Sequence, residues 1–86
     1  MTYYGAQFRA ARAALGRKTR EIAAETSMSM QTLNAIESAG PIRFEGADAP
    51  RGQEAAVLRL VAYYRRQGVT FLPNSGQGVG IRFRGR

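Results

Sequence analysis

The stretch from Thr19 to Glu37 constrains the fold more than any other part of the chain. It contains two short segments with apolar residues, the first of them at Ile22 and Ala23, separated by a turn that holds Met28. Leu33 and Ile36 are three positions apart and give the second segment an inward-facing stripe. Ser29 precedes that segment and predicts an N-cap, because its hydroxyl can accept a hydrogen bond from a free backbone N–H in the first turn. The stretch therefore predicts two short helices joined by a tight turn.

The second predicted helix leaves a small and uncharged face outside its apolar stripe. The residues on that face are Met30, Gln31, Thr32, Asn34 and Ala35. A helix face of this kind can enter the major groove of DNA, where the amide of Gln or Asn can pair with a base edge. From the residues alone, a plain solvated helix surface remains the alternative interpretation.

The charge of the chain points to a polyanionic partner. Its 86 residues include 13 basic and 6 acidic side chains, a net charge of +7, and all but one of the basic residues are Arg. Arg binds phosphate through two hydrogen bonds and stacks on bases better than Lys does. All the acids lie before residue 55, and six Arg follow it. This distribution favours a nucleic-acid partner over a role in solubility alone.

Several classes of function are disfavoured by what the chain lacks. It contains no Cys and no His, which supply the usual nucleophile, general base and transition-metal ligands. Its carboxylates are scattered and have no metal-ligand spacing. The glycine-rich segment Gly76–Gly80 precedes a predicted strand, so it predicts a hairpin turn rather than a phosphate-binding loop. We therefore expect a protein that is not an enzyme and that has neither a cofactor nor a metal site.

The sequence also predicts a cytoplasmic, nucleoid-associated location. No run of residues is long and apolar enough to span a membrane, so no membrane partner is expected. The first ten residues lack the apolar core of a signal peptide. A chain of 86 residues forms one small domain with a marginal core, which favours stabilisation by a second subunit.

A helix is predicted before the central stretch, from Tyr3 to Leu15. Its apolar face repeats at spacings of four, three and four and consists of Tyr4, Phe8, Ala11 and Leu15. Gly16 then ends the helix. The basic pair Arg17 and Lys18 follows, next to the start of the second helix. These two residues either bind a phosphate at that helix N-terminus or are solvated loop charges.

A loop at 40–52 and a long helix at 51–67 follow the central stretch. The loop holds several Gly and Pro and one apolar pair, Ile42 and Phe44, which we expect a short extended piece to tuck inward. The helix is apolar over more than half of its circumference, which is wider than a surface helix needs. This width predicts packing beyond the first three helices, with Tyr63 and Tyr64 in a core or an interface.

The last segment, 68–86, predicts a β-hairpin. Val69–Leu72 and Val79–Arg84 alternate between apolar and polar residues, with turn residues between them. A two-stranded hairpin is barely stable alone in water, so it must pack on the fourth helix, extend a sheet across a dimer, or both. Across a dimer, the expected interface residues are Val69, Phe71, Val79, Ile81 and Phe83. If the tail folds back on its own chain, the additional DNA contacts are Arg82, Arg84 and Arg86.

These features resemble the lambda-repressor/Cro-like helix-turn-helix domain, often called the Xre family, over Phe8–Glu37. The residues that carry the resemblance are Phe8, Arg9, Arg12, Leu15, Gly16, Glu21, Ile22, Ala23, Ser29, Thr32, Leu33, Ile36 and Glu37. Residues 68–84 are similar to the tail of a compact bacterial and phage subgroup. Ser27 departs from the family pattern, which usually has Gly in the turn, and a left-handed backbone there costs Ser on the order of 1 kcal/mol. Thr19 stands where the family often has a phosphate-binding Gln.

The resemblance implies a mainly α fold. A four-helix lambda-repressor-like domain covers 1–67, with the helix-turn-helix at 19–38, and the hairpin at 68–86 is a dimerisation element. The third helix lies in the major groove of DNA and the second helix crosses above it. The implied base contacts are Gln31 first, then Asn34, Met30 and Thr32. The implied phosphate contacts, which position the protein without reading sequence, are Arg17, Lys18, Thr19, Arg20, Ser29 and Arg43.

The implied function is that of a sequence-specific transcriptional regulator. We expect a repressor that binds a palindromic double-stranded DNA operator as a homodimer. One alternative is an antitoxin-type DNA-binding protein that also masks a toxin, for which only the tail offers a binding segment. Another is a general nucleic-acid binder driven by charge, which a steep loss of all binding with salt would reveal.

Overall fold

The computed structural model of the protein describes residues 2–44, 52–73 and 78–84. The helices in this part of the chain are α1 (Gly5–Leu15), α2 (Thr19–Thr26), α3 (Met30–Glu37) and α4 (Gln53–Arg66). The strands are β1 (Thr2–Tyr4), β2 (Pro41–Arg43), β3 (Val69–Leu72) and β4 (Gly80–Phe83). They form two antiparallel pairs, β1 with β2 and β3 with β4. The prediction of a mainly helical chain with a C-terminal hairpin is confirmed, while the lambda-repressor-like fold stays a prediction.

Local hydrogen bonds set the ends of the helices in the central stretch. Gly16 ends α1 in a left-handed conformation, with φ 67° and ψ 30°, which glycine adopts at little cost. The backbone N–H of Lys18 donates to the carboxylate of Glu21 at 2.8 Å, at the start of α2. Ser29 caps α3, because its Oγ accepts a hydrogen bond from the N–H of Thr32 at 3.0 Å. The predicted N-cap at Ser29 is therefore confirmed.

The N-terminal residues form a strand rather than the first turn of a helix. The predicted helix start at Tyr3 is wrong, because this residue lies in β1 and pairs with Ile42 of β2. The extended backbone carries its buried ring to 5.7 Å from the ring of Phe71 and 5.9 Å from that of Phe44. Tyr4, which was expected on the apolar helix face, is only half-buried. The inward tuck of Ile42 and Phe44 is confirmed, since the first is buried and the second half-buried.

The long helix α4 buries one face and leaves two apolar residues outside it. Tyr63 and Tyr64 are 4% and 0% exposed, so of the predicted core or interface positions they occupy the core. Leu58 and Ala62 are exposed, which makes the buried face narrower than the sequence indicates. The predicted helix start at Arg51 lies outside the described residues. Within the described part of the chain, no helix has the length and apolar character needed to cross a membrane.

The C-terminal hairpin folds back on its own chain. Its strand β3 packs against α4, as the width of that helix predicts, and β4 packs against α1. Val69 and Phe71 are 1% and 7% exposed, because they belong to the core that the hairpin shares with these helices. These two side chains are therefore not available as a dimer surface, contrary to the prediction. The predicted turn residues at 74–77 lie outside the described residues.

One aromatic cluster joins β1, α1, α4 and the hairpin. The ring centroids of Phe8 and Phe71 lie 5.1 Å apart, and those of Tyr64 and Phe71 lie 6.2 Å apart. Phe8 and Tyr64 are fully buried. Because such rings bury more area than most side chains, this cluster is the main apolar link between the N-terminal and C-terminal segments.

A buried amide next to the cluster ties α1 to both strands of the hairpin. Gln7 is 2% exposed, and its Nε2 donates to the backbone oxygens of Leu72 and Gly80, both at 2.9 Å. Its Oε1 accepts a hydrogen bond from the N–H of Tyr4 at 2.9 Å. Both ends of the amide thus have partners, which removes most of the cost of burying a polar group.

The start of α1 touches the backbone at the end of α3. The N–H of Gly5 donates to the carbonyl oxygen of Ala39 at 3.0 Å. A Cβ on Gly5 would lie 2.4 Å from that oxygen and 2.7 Å from the carbonyl oxygens of Ile36 and Glu37. Only glycine fits this approach without displacement of backbone. The contact fixes where the end of α3 lies relative to α1.

Candidate nucleic-acid interface

The helix α3 buries one side and exposes most of the predicted base contacts. Leu33 and Ile36 are fully buried, whereas Met30, Gln31 and Asn34 are exposed. Met30 is 40% exposed, which leaves an apolar side chain beside two amides. The face carries no charge and can approach base edges without burying an ionised group.

Thr32 differs from the other predicted base contacts. It is half-buried, and its hydroxyl accepts a hydrogen bond from the hydroxyl of Ser29 at 2.9 Å. The Oγ of Ser29 in turn accepts from the backbone of Thr32, so both side chains hold the first turn of α3. A base contact by Thr32 would come from its methyl group or from the proton of its hydroxyl, which the hydrogen bond accepted from Ser29 leaves free.

A basic cleft of about 470 Å³ lies where the starts of α2 and α3 meet. We call it the basic cleft, and its lining residues are Arg12, Arg17, Lys18, Thr19, Arg20 and Met30. It brings four of the predicted phosphate contacts together with one predicted base contact. Four cationic side chains around one concave surface suit an anionic group such as a phosphate.

The remaining predicted site residues lie outside the basic cleft. A second groove, of about 540 Å³, lies between α3 and the start of α4. Its lining residues are Ser27, Met28, Ser29, Gln31, Thr32, Ala35, Gly52, Gln53, Ala56 and Arg59. The first turn of α3 thus lines both concavities. Arg43 lies on β2 opposite Thr2 and is exposed, so the fold does not bring it into the basic cleft.

Two of the cations in the basic cleft already have carboxylate partners. The Nη1 of Arg17 lies 2.7 Å from Oε2 of Glu25, and Oε1 of the same carboxylate accepts a hydrogen bond from Tyr63 at 2.7 Å. Glu25 therefore connects the loop before α2 with α4. Because this ion pair is partly exposed, it is weak and can be exchanged for a phosphate.

The second paired cation, Arg12, joins α1 to the end of α3. Its Nε and Nη2 donate to the two carboxylate oxygens of Glu37 at 2.9 and 3.1 Å, and Arg9 donates to the carbonyl oxygen of the same residue. The bidentate bond to this carboxylate raises the pKa of Arg12. Sequence reasoning placed Arg12 outside the apolar stripe but missed this pair. The one available signal was a carboxylate at Glu37, directly after the buried Ile36.

Lys18 and Arg20 carry the uncompensated charge of the basic cleft. Both are exposed, and neither forms an ion pair with a carboxylate within the described part of the chain. The bond from the N–H of Lys18, together with the neighbouring positive charges, lowers the pKa of the nearby Glu21. Its carboxylate caps α2 rather than neutralising the side chains that point outward. Thr19, also in the cleft, is half-buried.

The turn between α2 and α3 has the left-handed backbone that its position predicts. Ser27 has φ 56° and ψ 43°, and it is the one non-glycine residue with a positive φ among those described. The next N–H, of Met28, donates to the carbonyl oxygen of Ala23 at 3.0 Å. Ser27 therefore accepts a conformation that glycine adopts more cheaply, at a cost of about 1 kcal/mol.

No protein-family model, curated protein or solved structure matched the chain in comparisons with known proteins. The resemblance to the Xre family therefore stays a prediction that rests on the residues named above.

Proposed function

We propose that the protein is a sequence-specific regulator that binds double-stranded DNA, with α3 in the major groove and α2 above it. The observation that carries this proposal is that the uncharged, amide-bearing face of α3 lies beside the basic cleft. Base readout and phosphate neutralisation are the two requirements of specific DNA binding. In this chain the residues for both requirements lie at or near the starts of α2 and α3. Occupation of an operator, and thus repression, is the form of regulation that we propose.

The two kinds of contact are assigned to different side chains. Gln31 is the first candidate for base readout, because an amide can bond both N6 and N7 of adenine, and Asn34 lies about one turn further along α3. Met30 offers an apolar contact for a thymine methyl group. Lys18 and Arg20 offer charge to the phosphates that flank the groove.

Binding to a palindromic operator requires two copies of the chain. With Val69 and Phe71 in the core, the candidates for the dimer surface are on and next to β4. Val79 and Ile81 are half-buried, and Phe83 is 36% exposed. Within the described residues β4 pairs with β3 alone, which leaves its second edge for a strand of another copy. A mass equal to one chain at high micromolar concentration, measured by sedimentation or light scattering, would contradict this dimer.

The base assignment is tested by selection of a preferred site from random duplexes, followed by affinity measurements on that site. Gln31→Ala and Asn34→Ala should each cost about 1–3 kcal/mol in binding and relax preference at particular base positions. Lys18→Ala should instead weaken all sequences alike and lower the salt slope by about 1. The contrast between the two kinds of variant separates readout from positioning.

Ala6→Ser is the control, because it changes an exposed residue on α1 that lines neither the basic cleft nor the second groove. It should change neither affinity nor site preference. If Gln31→Ala and Asn34→Ala also leave the site preference intact, α3 is not the reading element. If no sequence is preferred at any salt concentration, the protein is a charge-driven binder and the regulator proposal is wrong.

A further inference from the structure

A second basic surface lies on the hairpin and the end of α4, apart from the basic cleft. Arg82 lies on β4 opposite Thr70. Arg84 lies two positions after Arg82, directly past the end of the strand. The N–H of Arg84 donates to the carbonyl oxygen of Gly68 at 3.1 Å, and the N–H of Gly68 donates to that of Arg65 at 3.1 Å. This chain of backbone bonds brings β4 next to the last turn of α4. The hairpin basic surface is defined by four exposed residues: Arg65, Arg66, Arg82 and Arg84.

Within the described part of the chain, the arginines of this surface form no ion pair with a carboxylate. No acidic residue follows Glu54 in the sequence. Among the described residues, the ion pairs are Arg12 with Glu37, between α1 and α3, and Arg17 with Glu25, at α2. Basic residues at a helix C-terminus interact favourably with the helix dipole, which accounts for Arg65 and Arg66. It does not account for Arg82, which is on β4, or for Arg84, which directly follows this strand.

The hairpin presents this charge in an ordered row. Residues two apart on a strand lie on the same face, about 7 Å from each other, and this separation is close to that of consecutive phosphates along a nucleic-acid strand. The neighbours of Arg82 point the other way: Ile81 is half-buried, and Phe83 lies opposite the buried Val69. Apolar packing on one face of the hairpin therefore fixes the arginines on the opposite face.

We propose that the hairpin basic surface binds the phosphate backbone of a second stretch of duplex DNA, without reading its sequence. The stretch is either a flanking part of the operator DNA or a separate duplex. The fold-back of the tail supports this assignment, because it anchors β4 on α1 and leaves Arg82 and Arg84 exposed. The proposal rests on the proposed function only in taking DNA as the ligand, since it uses different residues.

The test uses full-length chains and a labelled duplex of mixed sequence, with binding followed by fluorescence anisotropy across salt concentrations. The first variant removes the helix-turn-helix contacts through Lys18→Gln, Arg20→Gln, Gln31→Ala and Asn34→Ala. It should retain binding at low salt, with a log–log slope of about 2–4 that reflects two to four phosphates. Adding Arg82→Gln and Arg84→Gln should reduce the remaining affinity at least tenfold. Adding Arg82→Lys and Arg84→Lys instead should retain most of it, because the charge is kept.

Thermal unfolding followed by circular dichroism shows that each variant is folded, which is expected because all the changed side chains are exposed. The proposal is overturned if the first variant binds no duplex at low salt, or if the change to Gln at Arg82 and Arg84 leaves its affinity unaltered. It is also overturned if these two arginines bind vesicles rich in phosphatidylserine but not DNA.

A capture experiment distinguishes the two sources of the second stretch. Wild-type protein on an immobilised operator duplex is exposed to a second, labelled duplex. If the second duplex is retained by wild type and lost with Arg82→Gln and Arg84→Gln, the surface binds a separate duplex. If wild type retains no second duplex but the anisotropy test succeeds, the surface binds flanking DNA. Failure of the regulator proposal gives a different pattern: the first variant then binds as tightly as wild type, and the hairpin change still lowers the affinity.

Discussion

The α1–α3 junction and the hairpin junction are both buried, but different interactions hold them. At the first, Gly5 approaches three backbone carbonyls, and Arg12 donates two hydrogen bonds to Glu37. At the second, Val69 and Phe71 pack in an apolar core, and the amide of Gln7 adds two hydrogen bonds to the strands. Polar contacts depend on direction, whereas apolar packing depends mainly on the area buried. The difference teaches that the orientation of α3 and the bulk of the stability have separate sources.

Phe71→Ala should give the largest loss of stability. Removal of a buried aromatic ring costs about 4 kcal/mol, and this ring contacts Tyr3, Phe8 and Tyr64. The free energy of unfolding is measured by urea titration. Thr70→Ala, on the same strand but exposed, should change it by less than about 0.5 kcal/mol. The milder Phe71→Leu should lower stability without altering the preferred DNA site. An altered preference would contradict separate sources for stability and for the orientation of α3.

Gly5→Ala should give the next largest loss of stability, about 3 kcal/mol, because the added Cβ overlaps fixed backbone atoms. Gly40→Ala is its matched control, since a Cβ at that position meets nothing within 4 Å. The two variants are compared by the same titration. Equal stability of the two would mean that α3 can move away from α1 freely, which contradicts a fixed junction.

Glu37→Gln should cost about 2 kcal/mol and also weaken DNA binding, because losing the bond that holds the end of α3 on α1 should outweigh the charge freed on Arg12 in the basic cleft. The change leaves Arg12 without its countercharge, but a side chain that is 26% exposed regains part of its hydration, so the loss is smaller than for a fully buried pair. Glu25→Gln is the informative control. It releases Arg17 into the basic cleft and should strengthen DNA binding slightly. Weaker DNA binding by Glu37→Gln and stronger binding by Glu25→Gln would support the comparison between the two junctions. A change in the same direction for both variants would refute it.

Tyr64→Phe should raise stability by about 1 kcal/mol. This residue belongs to both junctions, because its ring contacts Phe71 while the charges of Arg12 and Glu37 act on its hydroxyl. That hydroxyl is buried without a hydrogen-bond partner among the described residues, and burial raises its pKa. Removing an unsatisfied polar group recovers its desolvation cost. A lower melting temperature in calorimetry would show that the hydroxyl is instead satisfied by water.

Glu21→Gln should give the smallest effect on stability, and this effect should depend on pH. The pKa of Glu21 is lowered in the folded chain, first by the bond from the N–H of Lys18. Its contribution to stability is therefore present above the unfolded pKa of about 4.5 and is lost as the pH falls through the folded value. Melting temperatures of wild type and Glu21→Gln should converge as the pH falls from 6 to about 3. Parallel curves would contradict this.

Local signals predicted the elements of the central stretch well. Ser29 caps α3 because the required hydroxyl and N–H lie three residues apart, and Ser27 is left-handed because a short turn needs that backbone. Tyr3 and Tyr4 were misplaced because their spacing to Phe8 also fits a helix. The contacts that decide between strand and helix come from β2, which is distant in sequence.

Long-range partners account for the other differences between prediction and structure. Val69 and Phe71 show alternation, but alternation does not say whether the apolar face meets the same chain or another copy. The pair between Arg12 and Glu37 joins residues 25 positions apart, and no local pattern specifies it. Arg17 and Lys18 of the basic cleft were found because they adjoin one helix start, whereas Arg43 was placed with them only by resemblance and Arg12 was missed.

The amide of Gln7 has a consequence for the synthesis of the protein. Its two N–H groups bond to residues 65 and 73 positions later in the chain. While the hairpin is still being synthesised, α1, α2 and α3 are already part of the nascent chain, but the Nε2 group of Gln7 lacks its two partners. A nascent chain that ends before Gly80 therefore carries an unsatisfied polar group in its half-formed core. Full satisfaction of this buried amide therefore depends on the last strand of the hairpin.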